Sequence, residues 1–370
     1  IAIFLSTYLW KKKHGVFVRT AIVEFYLDVK EYLATNLQYS QNMQKRISKL
    51  QVTLLNKTDK PHTILLIIGE SASRDYMKAF NKEYKYDTTP WLDRMAQSKN
   101  FILFPNAFSI GANTVLAVSN AMTEINQYND KKFYESCSII DIAHAAGYKV
   151  HWYSNQGHLG SADTPVTLIA NTADVAKWTK QELNQIQYDE SLLDYLGELD
   201  TTKNNFLVLH LKGSHFNFLN RYPESFTKLG TAGKYELELN YANSIAYTDS
   251  VLEQIFNYAK DNLNLQAMVY FSDHATVPDK RRSPNFEGLA SVRIPFFTYF
   301  ADEYIARHQE VYDTLKKHEN FYWTNDLAYE LLCSILDIKS NHFDETNSLA
   351  SEKFKYKRED LRTNCGQTKI

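Results

Sequence analysis

Five short, almost fully apolar runs constrain the fold of this chain more than any other feature. The first reads Thr63-Ile-Leu-Leu-Ile-Ile68, and similar runs recur at 148–153, 206–211, 267–271 and 294–300. Apolar runs of roughly four to eight residues without alternation are typical of strands buried on both faces, as in a parallel sheet. Helical patterns lie between them, at 134–147, 185–199, 235–260 and 323–338. The alternation predicts a three-layer α/β/α sandwich with a mostly parallel central sheet. In the last helical pattern, Thr324 or Asn325 is the expected N-cap.

Length and composition favour one large folded unit preceded by a connector. The chain has 370 residues and 44% hydrophobic content, enough for a large core in one α/β domain with insertions, or in two domains. Residues 14–58 place apolar side chains at helical spacing and become rich in Lys, Asn and Gln, which indicates an amphipathic connector that Pro61 ends. We therefore predict a membrane-proximal segment and connector over 1–60 and one large domain over 61–370.

The first ten residues are apolar and precede three lysines. They read Ile-Ala-Ile-Phe-Leu-Ser-Thr-Tyr-Leu-Trp, and the chain does not begin with Met. A helix that spans a bilayer needs about 20 apolar residues, so these ten alone cannot cross one. We interpret them as the end of a membrane segment, with an ordinary buried strand or helix as the alternative. The lysines leave the topology open, because large domains are translocated largely regardless of such charges.

Charge and cysteine spacing argue against two classes of protein. The formal net charge is -2, which gives no electrostatic basis for a nucleic-acid partner, because nucleic-acid phosphates select a basic surface. The three cysteines, Cys137, Cys333 and Cys365, show no C-x-x-C spacing, so neither a cysteine-rich zinc site nor a redox pair is indicated. Cys333 lies in an apolar helical stretch and is expected to be buried, and Cys365 is either its disulfide partner or free.

Two of the apolar runs end in side chains that suit a divalent metal. Glu70 follows Gly69 after the first run, and Asp273 and His274 follow Ser272 after the fourth. Strands in an open α/β sheet present such groups at their carboxyl ends towards one crevice, and carboxylates with a neutral imidazole suit a metal that activates an oxygen nucleophile. Each run alone has a simpler explanation, a solvated turn acid for Glu70 and a capping Asp with a surface His for the pair. Their joint occurrence favours a metal site.

Thr114 is the candidate nucleophile. It follows Gly111-Ala112-Asn113 and precedes a helical pattern over 115–122. A threonine hydroxyl is a poor nucleophile at neutral pH, and coordination to a divalent cation lowers its pKa. Backbone N–H groups at the start of that helix can hold a phosphoryl oxygen. The alternative is that Thr114 only caps the helix. Ser109 and Ser119 are nearby but less well placed.

Five separated motifs between Thr63 and the final helix carry a family resemblance. They are Gly69-Glu70-Ser71 with Arg74-Asp75, Thr-Thr-Pro-Trp-Leu at 88–92, Gly213-Ser214-His215, Asn243-Ser244-Ile245 with Tyr247-Thr248-Asp249, and Ser272-Asp273-His274. Together they resemble the catalytic domain of bacterial phosphoethanolamine transferases, which belong to the alkaline phosphatase and sulfatase superfamily. The resemblance implies that residues 61–370 form a catalytic, sulfatase-like domain with an alkaline phosphatase-like fold.

The same resemblance implies a site and a reaction. Glu70, Thr114, Asp273 and His274 would bind Zn²⁺, with Thr114 also the nucleophile, and His215 would contact the transferred phosphate or protonate a leaving oxygen. Phosphoethanolamine would pass from phosphatidylethanolamine, through a phospho-threonine, to lipopolysaccharide, lipid A or another envelope glycan. The protein would sit in the bacterial inner membrane with its catalytic domain facing the periplasm.

The chain departs from the family pattern after His274. The family reads Asp-His-Gly-Glu and then supplies another histidine, whereas this chain has Asp-His-Ala-Thr at 273–276 and no histidine between His274 and His308. The usual second phosphate-side histidine is therefore missing. Arg281 or Arg282 is a candidate replacement, and a solvated basic loop is the alternative. With three cysteines, several of the family's disulfides are also absent.

Other activities share much of this ligand set. A phosphoglycerol transferase or a phosphodiesterase of the same superfamily would use nearly the same metal ligands, and a non-catalytic envelope-binding domain would keep the fold. A sulfatase activity is disfavoured, because Cys137 lies in Glu-Ser-Cys-Ser-Ile and lacks the Cys-x-Pro-x-Arg type of motif that formylglycine formation needs.

Overall fold

The five predicted runs are strands in the computed structural model of the chain, which describes residues 37–39, 41–157, 164–179, 186–280, 288–364 and 366–370. The strands, numbered along the chain, are β1 (Val52–Leu54), β2 (Thr63–Gly69), β3 (Phe101–Leu103), β4 (Ala107–Phe108), β5 (Lys149–Ser154), β6 (Val175–Trp178), β7 (Asn205–His210), β8 (Leu265–Ser272), β9 (Phe296–Phe300), β10 (Trp323–Thr324), β11 (Ile338–Ser340), β12 (Arg362–Thr363) and β13 (Thr368–Lys369).

Seven of these strands form one mixed sheet in the order β3-β9-β8-β2-β7-β5-β6. The pairs β2–β7, β2–β8, β5–β7 and β5–β6 are parallel, whereas β9 runs antiparallel to both β8 and β3. The prediction of a mostly parallel sheet is therefore confirmed. Its two edge strands, β3 and β6, were not predicted. The register sets Gly69, at the end of β2, opposite Ser272, at the end of β8, so both strands stop at the same edge of the sheet.

Eight α-helices lie among the described residues after position 50. They are α1 (Pro90–Met95), α2 (Thr114–Ala121), α3 (Ile139–Ala145), α4 (Thr164–Ala170), α5 (Leu237–Asn262), α6 (Asp302–Arg307), α7 (Gln309–Lys317) and α8 (Ala328–Ile335). The pattern at 185–199 forms a 3₁₀ helix over Asp189–Glu198, and that at 323–338 forms a 3₁₀ turn, Asn325–Leu327, followed by α8. Among the described residues, no helix combines the length and the apolar character that a membrane span requires.

Thr324, one of the two predicted N-caps, is the N-cap residue of the turn that begins the last helical segment, but it makes no side-chain capping bond. Neither expected side chain caps the turn at Asn325–Leu327. The hydroxyl of Thr324 accepts a hydrogen bond from the side-chain amide of Gln127 at 2.9 Å. The amide of Asn325 points towards the carboxyl edge of β8, where it donates to the backbone oxygen of Asp273 at 2.8 Å. Both polar side chains therefore form long-range contacts that local sequence does not reveal.

Alternate residues of β2 enter two separate hydrophobic cores. Ile64, Leu66 and Ile68 belong to one cluster, with side chains from α2, α3 and α8. Leu65 and Ile67 belong to the other, with side chains from α1 and α5. Successive strand residues point to opposite faces, so a strand that is apolar at every position needs a helical layer on each side. The three-layer α/β/α sandwich is thus confirmed.

Residues before β2 contact the large domain. Strand β1 pairs antiparallel with β11, and the guanidinium of Arg46 donates to the backbone oxygens of Tyr39 and Tyr134 at 3.2 and 3.0 Å. The predicted membrane-proximal residues 1–36 lie outside the described residues. A division of the chain near residue 60 remains a prediction.

Two cysteines are buried and unpaired. Cys137 and Cys333 are both free thiols with no exposed surface, so the expected burial of Cys333 is confirmed. Cys365, its proposed partner, lies outside the described residues.

Two of the resemblance motifs meet at the start of α1. The carboxylate of Asp249, on α5, accepts the backbone N–H groups of Trp91 and Leu92 at 2.9 and 3.1 Å. Thr89, the helix's own N-cap residue, makes no side-chain capping bond. We expect Asp249→Asn to destabilise the protein by about 1–2 kcal/mol, because the amide offers one acceptor oxygen instead of two. The measurement is the urea midpoint of unfolding.

A neighbouring surface pair provides the control for that measurement. Glu253 lies one turn along α5 from Asp249 and pairs with Arg94 at 2.8 Å, with both side chains more than one-third exposed. Exposed ion pairs contribute about 0–1 kcal/mol, so Glu253→Gln should change the midpoint less. Equal midpoints for Asp249→Asn and the wild type would show that the cap does not stabilise the fold.

Candidate active site

Four of the predicted site residues meet at the carboxyl edge of the sheet. Glu70 directly follows β2, Asp273 and His274 directly follow β8, and Thr114 is the first residue of α2. One ligand atom from each of Glu70, Asp273 and His274 lies within 4.8 Å of the other two, and all three residues are buried. Three candidate ligands that are far apart in sequence therefore converge because β2 and β8 are adjacent parallel strands.

The side-chain atoms of these residues approach each other closely. Nε2 of His274 lies 3.4 Å from Oε1 of Glu70 and 3.4 Å from Oδ2 of Asp273. Oγ1 of Thr114 donates to Oε2 of Glu70 at 3.0 Å and lies 3.4 Å from Nε2 of His274. The threonine hydroxyl thus lies beside two of the three candidate ligands.

Backbone contacts lock the two strand ends together. The N–H of Asp273 donates to the carbonyl of Gly69, and the N–H of Ser71 donates to Oδ1 of Asp273, both at 2.9 Å. A Cβ on Gly69 would lie 2.4 Å from the hydroxyl oxygen of Tyr270, so only glycine fits this position. Ser71 has a φ of 62°, a left-handed conformation that is strained for a residue with a side chain. The strained turn holds Glu70 and Asp273 on the same side of the sheet edge.

Helix α2 presents Thr114 to the cluster. The side chain of Asn113 caps the helix by accepting the backbone N–H of Leu116 at 3.2 Å. Thr114 is therefore not the cap, and its hydroxyl is directed to Glu70 instead. Ser109 and Ser119 do not share this position: the hydroxyl of Ser109 donates to the carbonyl of Gly111 at 2.7 Å, and that of Ser119 is buried without a partner among the described residues.

The electrostatics of the cluster suit a cation. Asp273 is fully buried, and its pKa is raised to about 7, first by burial and then by the negative charge of Glu70. Its Oδ2 atom is buried and accepts no hydrogen bond within the described part of the chain. Two adjacent buried carboxylates, one with an oxygen that accepts no hydrogen bond, and an imidazole are a donor set that a divalent metal would satisfy. The residues therefore fit the metal that the sequence predicts.

His215 lies next to this cluster but is not one of its ligands. The N–H of Ser214, the preceding residue, donates to the backbone oxygen of Glu70 at 2.9 Å, so the Gly-Ser-His loop packs on the site. His215 is half-buried, and its Nδ1 lies 3.3 Å from the backbone oxygen of Phe216. Arg281 and Arg282, the candidate replacements for the missing histidine, lie outside the described residues.

Sequence reasoning missed Gln156. Its side-chain amide donates to Oε2 of Glu70 at 3.1 Å and to the backbone oxygen of Leu211 at 2.7 Å, and its oxygen accepts from Nζ of Lys212 at 3.2 Å. Gln156 follows β5, whose end lies at the same sheet edge as those of β2 and β8. The rule that found Glu70, a polar residue just after an apolar strand, also selects this glutamine.

Two further residues that the sequence did not single out shape the site. Asp189 accepts the backbone N–H groups of Lys212 and Gly213 at 2.7 and 2.8 Å, which fixes the loop before His215, and burial raises its pKa. His210 ends β7 and lines a cavity with Thr114 and Gln156. Burial lowers its pKa to about 4, so this imidazole is neutral at pH 7.

Comparison with known proteins assigns the chain to a family. A family model described as Sulfatase matches residues 62–333, most of the chain. The chain belongs to the sulfatase family. Phosphoethanolamine transferase EptC of Escherichia coli is 26% identical over 324 residues, which cover 80% of this chain and 54% of that protein. The predicted resemblance to phosphoethanolamine transferases is thereby confirmed, although the chain spans about half the length of the curated relatives it matches.

Solved structures confirm the fold. The C-terminal periplasmic domain of EptC from Escherichia coli, in complex with Zn, superposes with a TM-score of 0.75 at 23% identity, covering 87% of this chain and 94% of that one. A protein of the alkaline phosphatase superfamily from Vibrio parahaemolyticus gives 0.56 at 15% identity, covering 89% of this chain and 81% of that one. At these identities the match supports the alkaline phosphatase-like architecture alone.

Proposed function

We propose that this chain is the catalytic part of a zinc-dependent phosphoethanolamine transferase. The observation that carries the proposal is the position of Oγ1 of Thr114, 3.0 Å from Oε2 of Glu70, beside a buried cluster of Glu70, Asp273 and His274 in a sulfatase-family domain. Nucleophile and ligands of this kind suit phosphoryl transfer through a covalent intermediate. The curated relative named phosphoethanolamine transferase supports the choice of the transferred group.

The zinc ligands in this proposal are Glu70, Asp273, His274 and Thr114. A bound zinc ion would lower the pKa of the threonine hydroxyl and neutralise charge on the phosphoryl oxygens. Oδ2 of Asp273 supports the assignment, because this fully buried carboxylate oxygen accepts no hydrogen bond among the described residues and lies 3.4 Å from Nε2 of His274, another proposed ligand. The zinc in the related periplasmic domain also supports it.

The residues divide the reaction into two displacements. In the first, Oγ1 of Thr114 bonds to phosphorus, its proton passes to Oε2 of Glu70, and the bond from phosphorus to the diacylglycerol oxygen breaks. His215 gives the leaving oxygen a proton. In the second, an acceptor hydroxyl oxygen bonds to phosphorus and gives its proton to His215, the bond to Oγ1 breaks, and Oγ1 takes back the proton held by Glu70. The neutral imidazole of His210, which lines the same cavity as Thr114, adds no positive charge to that cavity at pH 7.

The proposed setting is the periplasmic face of the bacterial inner membrane. Phosphatidylethanolamine is the donor, and lipopolysaccharide, lipid A or another envelope glycan is the acceptor. The apolar decapeptide before Lys11 supports attachment to a membrane. The related structure is described as a periplasmic domain, which supports the direction in which the site faces.

Donor and acceptor are tested together with labelled lipids. The membrane-anchored protein is incubated with envelope fractions and either headgroup-labelled phosphatidylethanolamine or headgroup-labelled phosphatidylglycerol. We expect diacylglycerol release and label transfer to a glycan only with phosphatidylethanolamine. Use of phosphatidylglycerol would indicate a phosphoglycerol transferase, and label released to water would indicate a phosphodiesterase. No turnover by the zinc-loaded protein would contradict an enzymatic role.

Removal of the Gln156 amide tests the positioning of Glu70. We expect Gln156→Ala to lower the rate of diacylglycerol release by about 10–100-fold, the range for loss of a group that orients a metal ligand. The reason is that its Nε2 atom ties Oε2 of Glu70 to the carbonyl of Leu211. Single-turnover kinetics and zinc affinity are the measurements.

A matched variant at another glutamine tests whether the loss of activity comes from the contact between Gln156 and Glu70. Gln254, on α5, donates its amide only to the backbone of its own helix, at Ser250, among the contacts described. Gln254→Ala should leave both the rate and the zinc affinity unchanged. Wild-type kinetics for Gln156→Ala would show that Glu70 keeps its position without the amide.

A further inference from the structure

A second group of metal-binding side chains lies beyond the far end of α2. Glu124 follows the C-terminus of this helix, Cys137 precedes α3, and His342 follows β11. Nδ1 of His342 lies 3.0 Å from each carboxylate oxygen of Glu124, and a ligand atom from each of the three residues lies within 4.8 Å of the others. Nothing in the proposed transfer reaction uses these residues.

The backbone holds two of these side chains in place. Thr123 and Ser138 form an isolated antiparallel bridge, and the N–H of Glu124 donates to the carbonyl of Cys137 at 3.1 Å. In return, the N–H of Cys137 donates to Oε1 of Glu124 at 2.8 Å. Glu124 and Cys137 are both almost fully buried, so carboxylate and thiol are fixed side by side. His342, which is half-buried, is the member with freedom to adjust.

The donor types select a class of metal. A thiolate, an imidazole and a carboxylate together suit a borderline-soft divalent ion such as Zn²⁺ rather than Mg²⁺ or Ca²⁺, which prefer oxygen ligands. With zinc–ligand bonds of about 2.0–2.3 Å, ligand atoms in a tetrahedral site are roughly 3.5 Å apart. His342 and Glu124 are already closer than this, so the separations that need closure, up to 4.8 Å and by about 1 Å, are those to Sγ of Cys137.

An adjoining cavity gives access and a solvent ligand. A cavity of about 260 Å³ is lined by Glu124 and His342, together with Lys131 and Glu330. The ammonium of Lys131 pairs with Glu124, but this lysine side chain is 46% exposed and has room to turn into solvent. A cation that enters here meets the carboxylate of Glu124 and displaces one ammonium. The exchange therefore favours a divalent charge over the single charge of lysine.

We propose that Glu124, Cys137 and His342 form a second metal site that takes Zn²⁺ or another thiophilic divalent ion, with water as the fourth ligand. On binding, Sγ of Cys137 loses its proton to solvent, Nδ1 of His342 presents its lone pair with the proton on Nε2, and Lys131 leaves Glu124. No other bond forms or breaks. The ion would join the loop after α2 to the loop after β11, so the site is structural and independent of the transfer reaction.

Cobalt spectroscopy of the full chain tests this site separately from the catalytic one. The catalytic ligands contain no sulfur, so a thiolate-to-Co²⁺ charge-transfer band in the near ultraviolet reports only on a cysteine ligand. We expect the Co²⁺-loaded wild type to show this band. Cys137→Ser should abolish it and lower the bound cobalt by one ion per chain. Cys333→Ser, which removes the buried thiol on α8, should retain it.

A second variant keeps the test decisive if Cys137→Ser folds poorly. His342→Ala removes a half-buried side chain and leaves the thiol in place. It should weaken cobalt binding at the thiolate site by at least about tenfold, the smallest loss expected even for an outer-shell partner. Absence of the band in the wild type would overturn the proposal. So would a band that survives Cys137→Ser, or unchanged affinity in His342→Ala.

Discussion

Thr114→Ala is expected to lower diacylglycerol release from phosphatidylethanolamine by at least about 1000-fold, as loss of a covalent nucleophile does in other enzymes. The hydroxyl is the atom that would bond to phosphorus, and none of its neighbours in the cluster can replace it, because Glu70, Asp273 and His274 are the proposed zinc ligands. The mass increment of phosphoethanolamine on the protein should also disappear. Thr114→Ser keeps a hydroxyl and should keep a detectable adduct.

Ser119→Ala is the matched control for this loss. Ser119 lies on the same helix, its hydroxyl is buried, and that hydroxyl has no hydrogen-bond partner among the described residues. Its removal should leave both turnover and the adduct at wild-type levels. If Thr114→Ala turned over the donor at the wild-type rate, or if the adduct mapped to another residue, Thr114 would not be the nucleophile.

The central strands could be predicted because burial on both faces requires an apolar residue at every strand position, and this pattern lies within one short stretch of sequence. A strand such as β2, covered by helices on both faces, must be apolar at every position, and that pattern is visible in the sequence. The edge strands lack this requirement. Strand β6 reads Val-Ala-Lys-Trp with every residue half-buried, and β3 has three residues, so neither stands out from a loop. The pattern at 185–199 shows why apolar spacing alone does not distinguish an α-helix from the 3₁₀ helix that forms there.

The part of the candidate site that could be predicted consists of residues that directly follow buried strands. Glu70, Asp273 and His274 follow buried strands directly, so sheet topology brings them together. The contacts of Asn325 could not be predicted in this way. Its amide donates to the backbone oxygen of Asp273, and its side-chain oxygen accepts the N–H of Ile110. Both contacts depend on how loops pack in the folded chain. Sequence reasoning treated Asn325 as a helix cap, because a capping asparagine and a bridging asparagine have the same local sequence.

The buried carboxyl of Asp273 is expected to lower the free energy of unfolding of the metal-free protein, relative to a variant without this carboxyl, as the pH rises from about 4 to about 7. In the folded chain the pKa of Asp273 is raised to about 7, first by burial and then by Glu70, whereas an unfolded Asp has a pKa near 3.9. Between these values the folded state holds a proton that the unfolded state has lost, so the contribution of this carboxyl to the free energy of unfolding falls as pH rises. The expected loss is on the order of 2–4 kcal/mol.

Asp273→Asn tests two effects of the Asp273 carboxylate separately: the destabilisation of the metal-free protein and the binding of zinc. The amide carries no charge, so the chelator-treated variant should be more stable than the wild type at pH 7, by a margin that grows as the pH rises from about 4, because Glu70 no longer faces a second buried carboxylate. Added zinc should raise the melting temperature of the wild type more than that of the variant, which lacks one proposed ligand.

Asp313→Asn is the control. It removes an exposed carboxylate and should leave the pH dependence of the free energy of unfolding unchanged. Parallel pH profiles of the wild type and Asp273→Asn in chelator, or equal zinc responses of the two proteins, would mean that the buried acidic pair is not kept for a metal. The expected pattern would show that the fold tolerates two adjacent buried carboxylates because a bound cation stabilises them.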